Sequence, residues 1–454
     1  MRWALSVLFV FAVSAFAGQE KTVHDFGAVG DGKADDTVAI QKAVDSGIGG
    51  IRFLKGVYRI SKPLVVDLDK VGFTSFVSDG TCQLVMAGAG PAILFTGTHT
   101  TGNASPTTFK PNVWEHQRTP MVDGMEIVGD HPEAVGIEAN GTMQITITRC
   151  TIRKCLHGVH LVNRNRNVLI ANCHIYNNRG IGVFYDDVNL HQSNIVGSHI
   201  SYCEGGGIVS RGGDVRNIQI GTCDIESNMS SNTNPTANIL IDCTTSRAGT
   251  AEVEISGCTI QHNSQSPDSA NIRIIGRGKA NAKCVQNRWG HITITGNVMS
   301  DVMVNLHLVG CRDVTFTGNT LCGGFKHNLL IEDCTHVVFG ANVLDRNPPY
   351  GTDSVNATVF RSCSDCTITG LHVSGVHTAE AGVVLEDCVR VNFTGCTILD
   401  CENAGLVARN LKNSRISDCL IRDDHPADKR SESIKIIGGS GNQIVNNLLS
   451  DATK

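Results

Sequence analysis

One short phrase recurs along most of this chain: a few β-forming residues, then a small residue, then Cys or Asn. Residues 144–150, 252–258 and 313–319 are three copies of it. The copies end at Cys150, Cys173, His199, Cys223, Cys258, Asn297, Asn319, Asn342, Leu371, Cys396, Cys419 and Asn447. The commonest gap between these positions is 23 residues. A fixed period of this length predicts a solenoid, in which each repeat packs mainly against its neighbours.

Each repeat also contains a second run in which apolar and polar residues alternate, as in residues 305–309, 328–332 and 382–386. Alternation of Val, Ile and Leu with a period of two indicates strands, and no helical period separates the runs. The pattern resembles the right-handed parallel β-helix of pectin-lyase-like proteins, with three short strands in each coil. About twelve coils at roughly 4.8 Å each would form a rod on the order of 55 Å long, before the N-terminal coils are added.

The chain has 48 Gly and 18 Cys, and the Cys fall into columns rather than scattered pairs. One column is the final position of the phrase, and a second lies eight residues upstream at Cys311, Cys334, Cys363 and Cys388. Stacked inward positions suit Asn, whose amides bond along a column, or Cys, which is a small buried hydrophobe. We therefore expect most Cys to be core residues, and we expect no metal at the lone Cys363–Cys366 pair. Whether any stacked pair forms a disulfide depends on geometry and stays open.

Charge and the N-terminus limit the classes of function. The chain carries 38 Lys and Arg against 43 Asp and Glu, a net charge of −5, so it lacks the basic field that nucleic-acid binding requires. Arg2, an apolar run over residues 4–16 and the small-residue site 15–17 predict a signal peptide over residues 1–17. That run is too short to span a bilayer, and no other segment is long enough. We expect a secreted, periplasmic or cell-surface protein with cleavage near Ala17; its oligomeric state is left open.

Residues 18–62 are predicted to form an N-terminal segment with a capping helix, and residues 63–454 the β-helix. Residues 27–33 fit the start of a phosphate-binding loop, but Ala34 stands where that motif needs Ser or Thr. The stronger interpretation is a glycine turn followed by a helix with Asp36 or Thr37 at its N-cap. Its apolar positions, Val38, Ile40, Ala43 and Val44, would close the open end of the β-helix.

The sequence of residues 23–44, which begins Val-His-Asp-Phe-Gly-Ala-Val-Gly-Asp-Gly, resembles the N-terminal segment of the pectate-lyase superfamily, in its rhamnogalacturonase/epimerase-type branch. Residues 56–60, Gly-Val-Tyr-Arg-Ile, continue that likeness. The resemblance implies an all-β, right-handed parallel β-helix and a polysaccharide or glycan partner. It leaves the chemistry open, because this superfamily includes lyases, hydrolases, epimerases, tailspikes and members without known activity. Neither a Gly-His-Gly and Arg-Ile-Lys pair nor an Asp-Pro-His-Glu motif is found in the chain.

The resemblance also implies that substrate would bind on the outer face of one sheet and at the loops beside it. In the strands that precede the Cys/Asn phrase, one outward column contains Glu332, Arg361, Glu386 and Arg409 in successive coils. Opposite charges stacked in this way stabilise a sheet by only about 0.2–1 kcal/mol per pair. The same strip also suits an acidic sugar, because Arg binds carboxylates through two parallel hydrogen bonds.

The loops that enter this sheet predict the site itself. The predicted catalytic residues are Lys326, His327, Asp345 and Arg346, and the predicted substrate-binding residues are Arg273, His307, Asn328, Glu332, Tyr350, Arg361 and His377. β-Elimination from a uronate needs a base for the C5 proton and a positive charge beside the carboxylate. Lys326 or His327 would be the base, and Arg346 or Arg361 the neutralising charge. Hydrolysis would instead need two carboxylic acids, for which Asp345 and Glu332 are the nearest pair.

A rival cluster surrounds Asp186 and Asp187, where calcium would be the natural ion, although adjacent strand residues point to opposite faces. No metal ligand set is predicted with definite residues, so the need for calcium stays open. The sequence therefore predicts an exported carbohydrate-active enzyme on an acidic polysaccharide, with a lyase favoured over a hydrolase or epimerase. The alternative is a non-catalytic β-helix that binds glycans or serves at the cell surface. Aromatic residues make up only 5% of the chain, which argues against extensive stacking on sugars.

Overall fold

In the computed structural model, the chain winds into a right-handed parallel β-helix of about 16 coils, as the repeat predicts. The structure describes residues 20–101, 105–230, 237–279, 287–347, 354–426 and 429–450. The predicted signal peptide and Tyr350 lie outside these residues. Every paired strand among the named elements runs parallel to its neighbours, and at about 4.8 Å per coil the solenoid is roughly 70 Å long.

Each coil contributes strands to three sheets, A, B and C, in that order along the chain. Two long strands, Val159–Ala171 and Ile181–Val196, bend through the corner between sheets A and B and belong to both. The other strands of sheet A are Leu64–Asp67, Gly90–Thr96, Ala134–Met143, Gly206–Arg211, Ala237–Asp242, Ala270–Ile275, Val302–Val309, Gly324–Glu332, Ala357–Arg361, Val383–Glu386, Ala404–Arg409 and Glu432–Ile437. The other strands of sheet B are Gly50–Arg52, Ser75–Val77, Met121–Asp123, Thr146–Thr148, Asp214–Gly221, Gly249–Ser256, Gly290–Thr295, Arg312–Thr317, Thr335–Phe339, Ser364–Thr369, Val389–Thr394, Arg415–Ser417 and Gln443–Val445.

Sheet C has one short strand per coil. Its strands are Asp31–Asp35, Gly56–Ile60, Cys82–Met86, Glu126–Gly129, Thr151–Arg153, His174–Tyr176, His199–Ser201, Asp224–Glu226, Thr259–Gln261, Val298–Ser300, Thr320–Leu321, Val343–Leu344, His372–Ser374, Thr397–Leu399, Leu420–Arg422 and Leu448–Leu449. The α-helices are Thr37–Asp45, Leu68–Val71 and Pro111–His116, and 3-10 turns span Val23–Phe26 and Pro106–Thr108.

The helix Thr37–Asp45 caps the N-terminal end of the solenoid, as predicted. Its Gln41 side chain exchanges two hydrogen bonds of 2.9 Å with the backbone of Val65, so it satisfies the open edge of the first strand of sheet A. The prediction for Val38 was wrong, because this residue is 65% exposed and lies on the outer side of the helix. Asp36 stands at the N-cap, but its buried carboxylate accepts hydrogen bonds from the backbone N–H groups of Val29 and Gly30 instead of capping the helix.

The interior is a stack of aliphatic side chains, one from each strand. Sheet B, for example, buries a ladder at Ile147, Ile170, Ile195, Ile220, Ile255 and Ile294. Each fully buried Ile contributes about 1.5–3 kcal/mol relative to an exposed one. Because the period of a strand is two, the intervening residues face outward, and this fixes which side chains any outer surface can present.

The predicted Cys/Asn column forms the inner corner between sheets B and C. In it, the Asn319 Oδ1 accepts hydrogen bonds from the backbone N–H and the Nδ2 of Asn297, and Asn319 itself bonds Asn342 in the same way. One position was predicted wrongly, since Ser198 rather than His199 occupies this column and accepts the Cys173 N–H at 3.2 Å. His199 pairs with His174 one residue later, on the strand of sheet C.

The second predicted column, Cys311, Cys334, Cys363 and Cys388, lines the corner between sheets A and B, and all four thiols are buried. The residue before each of these Cys has left-handed backbone: Gly310, Asp333, Ser362 and Asp387 have φ between 53° and 61°. Among the described cysteines all are free thiols, and only Cys322 is partly exposed. The interpretation of Cys as core residues is therefore confirmed for the part of the chain that the structure describes.

A third ladder, at the start of the sheet A strands, was not predicted. The buried amides of Asn238, Asn271, Asn305 and Asn328 donate to one another in turn, at 2.7–2.8 Å. Asn328 was predicted to bind substrate, and this was wrong because its side chain is fully buried in the ladder. The signal was available in the sequence, since each of these Asn begins an apolar run at the same point of its coil.

The amide ladders are expected to contribute measurably to stability. Replacing Asn319 by Ala removes the acceptor of two hydrogen bonds and leaves the buried Asn297 N–H without a partner. It also removes the Nδ2 donor to the Asn342 Oδ1 and to the backbone carbonyl oxygens of Ile294 and Thr317. An unsatisfied buried polar group costs about 1–3 kcal/mol, so we expect the free energy of unfolding to fall by about 3 kcal/mol. Urea unfolding followed by circular dichroism measures this. Asn392→Ala, at a partly exposed Asn on the outer face of a sheet B strand, is the matched control, and an equal effect in both variants would contradict the ladder's role.

Candidate functional site

The outer face of sheet A presents two columns of side chains whose register the strand pairing fixes. One column is His160, Phe184, Val209, Leu240, Arg273, His307, Leu330, Val359, Val384, Val407 and Lys435. The other is Val162, Asp186, Arg211, Asp242, Ile275, Val309, Glu332, Arg361, Glu386, Arg409 and Ile437. The spacing of the repeat predicts both columns, and the structure reproduces them residue by residue.

A groove of about 400 Å³ lies on this face in the coils that contain Lys326 and His327. Its floor is apolar and built from small side chains, and its polar groups stand around that floor. The lining residues are Lys326, His327, Val355, Ala357, Val359, Arg361, Ala379, Glu380, Ala381, Val384 and Glu386. Such a surface, apolar with a few convergent charged groups, is typical of ligand sites.

A ladder of alternating charges borders the groove. Arg361 donates from Nη1 to Glu332 at 2.8 Å and from Nε to Glu386 at 2.7 Å. Arg409 lies 3.5 Å from Glu386 and also bonds Glu380. The hydrogen bond to Glu386 raises the pKa of Arg361, so its guanidinium stays charged at every working pH. Arg361 is half exposed, so each pair contributes at most about 1 kcal/mol to stability, and the ladder mainly fixes the orientation of the guanidinium.

On the side away from Arg361, a buried relay supports Glu332. Arg273 is 2% exposed and donates from Nε to the Nδ1 of His307 at 3.1 Å. Since Nδ1 accepts this bond, the Nε2–H of His307 is the group that donates to Glu332, at 3.0 Å. Burial lowers the pKa of His307, with a further contribution from Arg273. Burial raises the pKa of Glu332, but the bonds from His307 and Arg361 outweigh it, so the carboxylate is ionised. Arg273 and His307 thus position Glu332 and lie outside the groove lining.

His327 is the group in the groove with the most unusual environment. It is half-buried, and neither ring nitrogen has a hydrogen-bond partner among the described residues. Burial lowers its pKa to about 4, and the positive charges of Arg361 and Lys326 act in the same direction. The imidazole is therefore neutral at neutral pH and has a free lone pair. Lys326 beside it is exposed.

The structure does not bring every predicted residue to this groove. Asp345 accepts a hydrogen bond from Ser374 at 3.1 Å and lies beyond the end of a sheet C strand, whereas Glu332 ends a sheet A strand. Asp345 and Glu332 thus lie at opposite edges of sheet A, and neither lines the groove, so they do not form a hydrolytic pair there. Arg346 is not in the lining, and its Nε is buried without a partner. His377 pairs with Glu402 at 2.5 Å, at the edge of the groove.

Sequence reasoning did not select Glu380 and Glu386 as site residues, although both line the groove. It also missed the floor, where Ala357, Ala379 and Ala381 leave room for a ligand. Ala also begins sheet A strands outside the groove, at Ala134, Ala237, Ala270 and Ala404, so the sequence does not mark this floor.

The rival cluster does not form a calcium site. Asp186 bonds the Nε2 of His160 at 3.1 Å, while Asp187 accepts the Gly213 N–H at 2.8 Å, so the two carboxylates serve different partners. Two other groups in the described residues bring three ligand atoms within 4.8 Å of one another: His199, Asp224 and Glu226, and Asp400, Asp423 and His425. Neither group lines the groove.

A long stack of parallel three-strand coils with an N-terminal cap and an outer groove defines a class, the single-chain parallel β-helix proteins. Residues 121–266 and 304–454 match the family described as "Right handed beta helix region". The chain therefore belongs to this right-handed β-helix family. Residues 21–119 match a second family described as "Rhamnogalacturonase A/epimerase, pectate lyase-like". The predicted resemblance is thereby confirmed.

Solved structures show the same fold at low sequence identity. Gene product 12 of bacteriophage phi29, in its pre-mature form, is 14% identical with a TM-score of 0.56, over 95% of this chain and 56% of that one. The Dettilon tailspike protein is 15% identical with a TM-score of 0.54, over 92% of this chain and 68% of that one. The A-module of mannuronan C-5 epimerase AlgE4 from Azotobacter vinelandii is 13% identical with a TM-score of 0.49, over 95% of this chain and 100% of that one. The likenesses to the two phage proteins show the fold alone.

No curated protein matches the sequence. In the described part of the chain, none of the helices has the length and apolar character needed to cross a membrane.

Proposed function

We propose that this protein is an exported enzyme that binds a uronate-containing polysaccharide in the groove of sheet A and cleaves it by β-elimination. The observation that carries the proposal is the pairing, in one groove, of a neutral imidazole without a partner at His327 and an oriented guanidinium at Arg361. The match of the N-terminal segment to a family described as rhamnogalacturonase and pectate-lyase-like supports a polysaccharide as the ligand.

Arg361 is suited to hold the uronate carboxylate. Its Nε–H and one N–H of Nη1 bond Glu386 and Glu332, which leaves three of its five N–H groups for a ligand. The two carboxylates fix the plane of the guanidinium, so a bidentate contact to a sugar carboxylate requires little reorganisation. This contact would stabilise the negative charge that develops when the C5 proton leaves.

The elimination step then needs two proton transfers. A nitrogen of His327 accepts the C5 proton, the electron pair forms the C4–C5 double bond, and the C4–O bond breaks. The departing oxygen takes a proton from the ammonium group of Lys326, which stands beside His327 at the mouth of the groove. The products are a new non-reducing end with a double bond and a new reducing end.

The proposal is tested by incubating the full chain with a panel of uronate polysaccharides, including polygalacturonate, rhamnogalacturonan and alginate. The absorbance of the unsaturated product and the number of reducing ends are followed together. A rise in both supports elimination. A rise in reducing ends alone would instead indicate hydrolysis, and a change in sugar configuration without new ends would indicate epimerisation; either result overturns the lyase assignment.

A second candidate, a non-catalytic glycan-binding protein, is favoured by one observation. Glu332, Arg361, Glu386 and Arg409 satisfy one another along the groove, as surface charges do in a purely structural ladder. Binding of a uronate chain without any product over the whole panel would support this candidate.

A further inference from the structure

A second groove, distinct from the one on sheet A, lies on the outer face of sheet B near the N-terminal half of the solenoid. It has a volume of about 480 Å³. Its lining consists of Asn167, Val168, Leu169, Gln192, Asn194, Asn217 and Gln219, from three successive coils. Five of the seven lining residues carry side-chain amides, and none is charged.

These amides are free to bind a ligand. In the described residues, the side chains of Asn167, Gln192, Asn194, Asn217 and Gln219 form no hydrogen bond with other protein groups, in contrast to the buried Asn ladders. All five are half-buried or exposed. Each amide offers two N–H donors and a carbonyl acceptor, so the groove presents both donors and acceptors with no net charge.

One column of residues runs along an edge of this groove and continues beyond it, where its side chains are mostly titratable. Its residues share a left-handed backbone at the start of the sheet B segment, with φ between 49° and 67°: Gln144, Asn167, Gln192, Asn217, Glu252, His291, Asp313, His336, Asp365, Arg390 and Asn413. The first four, in consecutive coils, are amides, and the next six are all titratable. Because the backbone is the same throughout, backbone geometry does not explain the change. Three of the amides, Asn167, Gln192 and Asn217, line the groove, whereas Gln144 and Asn413 lie outside its lining.

One apolar side chain, that of Leu169, lies on the floor of the groove, whereas Val168 is 2% exposed and packs into the interior core. The neighbouring column continues without charge from Thr146 through Leu169, Asn194 and Gln219, and it becomes acidic at Glu254. The column is also uncharged on the N-terminal side, at Met121, Ser75 and Gly50, and the groove itself spans three coils, about 10 Å along the axis at 4.8 Å per coil. A sugar chain has the matching chemistry, with hydroxyls that both donate and accept and a C–H face that packs on an aliphatic side chain.

We propose that this amide groove binds a neutral oligosaccharide, in a hexose chain laid along the solenoid axis, independently of the groove on sheet A. An anionic chain is disfavoured, since no cation lines the groove and Glu252 and Glu254 close its far end. Binding depends on hydrogen bonds between neutral groups, so it responds little to salt.

The test is isothermal titration calorimetry of the full chain with maltoheptaose, cellohexaose and mannohexaose, with hexagalacturonate as the charged comparator. We expect one of the neutral chains to bind, with an affinity that changes less than twofold when sodium chloride is raised from about 50 to about 500 mM. Replacing Gln192 and Asn194 together by Ala should weaken this binding about tenfold, the loss expected for one to two hydrogen bonds. Asn392→Ala is the matched control, because Asn392 occupies the same column as Asn194 far from the groove, and it should leave binding unchanged.

Leu169→Lys provides a second variant, because it places a charge on the floor without touching the amides. It should abolish binding of the neutral chain while the melting temperature stays within a few degrees of the wild type. The proposal is overturned if no neutral chain binds, or if both groove variants bind as tightly as Asn392→Ala. Uronate cleavage in the sheet A groove should be the same in all of these variants, so the outcome here is independent of that activity.

Discussion

Replacing His327 by Gln is expected to lower the rate constant kcat for uronate elimination by a factor on the order of 10²–10⁴, the usual contribution of a positioned general base. Gln is close to His in size and keeps hydrogen-bonding atoms, so the groove and the substrate contact of Arg361 should persist and KM should change little. The measurement is the initial rate of unsaturated product formation over a range of substrate concentrations. Lys326→Gln serves as the comparison, since loss of the proton donor should be partly compensated by water and should cost less.

The pH dependence of the same reaction gives a second readout of His327. The base must be unprotonated, and burial holds its pKa at about 4 in the free protein, so kcat/KM should rise as pH increases through about 4 and then level off. A profile that rises only near pH 6.5 would place the active base elsewhere. An unchanged rate in His327→Gln would contradict the site assignment, even if the protein proves to be a lyase.

The sequence predicts the fold well because each coil repeats the same physical constraint. Each short strand buries alternate side chains, and a turn separates it from the next strand. A period near 23 residues leaves room for three such strands in each coil. The register of the outward columns follows from this, and so the repeat by itself aligns Glu332, Arg361, Glu386 and Arg409. The one misplaced ladder residue, His199 for Ser198, lies where the gap between repeats is irregular, so counting alone could not fix the corner.

The site was less predictable, because it depends on loops and on packing outside the repeat. Asp345 and Arg346 were predicted because the loop of the next coil was expected at the same edge of the sheet, but the coil carries them to the edge beyond sheet C rather than onto the groove. Asn328 was grouped with its neighbours Lys326 and His327, yet its amide points inward and joins the buried Asn ladder. The apolar floor was missed since Ala residues carry no chemical signature until their coils are stacked.

Lowering the pH from about 6.5 to about 4 is expected to destabilise the folded chain on the order of 5 kcal/mol. Burial lowers the pKa of His99, His157 and His327 to about 4, whereas an unfolded chain has His near 6.5. Above pH 6.5 all three are neutral in both states. As the pH falls towards 4, the unfolded state binds protons that the folded state excludes, so stability is lost across this window. Each group contributes at most about 3 kcal/mol, and partial exposure reduces the sum.

Protonation of one histidine, His160, has the opposite effect on stability and reduces the net loss. Burial lowers the pKa of His160, but its bonds to Glu138 and Asp186, at 3.0 and 3.1 Å, raise it more, so protonation there favours the folded state. Burial also lowers the pKa values of His191 and His307, so the net slope should still be destabilising down to about pH 4, below which ionised carboxylates such as Glu332 begin to lose their own contributions.

Urea unfolding at a series of pH values measures this slope directly. The double variant His99→Gln and His157→Gln removes two of the three imidazoles whose pKa burial lowers to about 4, so between pH 6.5 and 4 its free energy of unfolding should fall by clearly less than that of the wild type. His291→Gln is the matched control, because the side chain of His291 is 61% exposed and its removal should leave the slope unchanged. If the double variant keeps the full wild-type slope, acid sensitivity arises from the carboxylates and not from the buried histidines. That result would also weaken the assignment of His327 as a neutral base, because the same burial argument supports both.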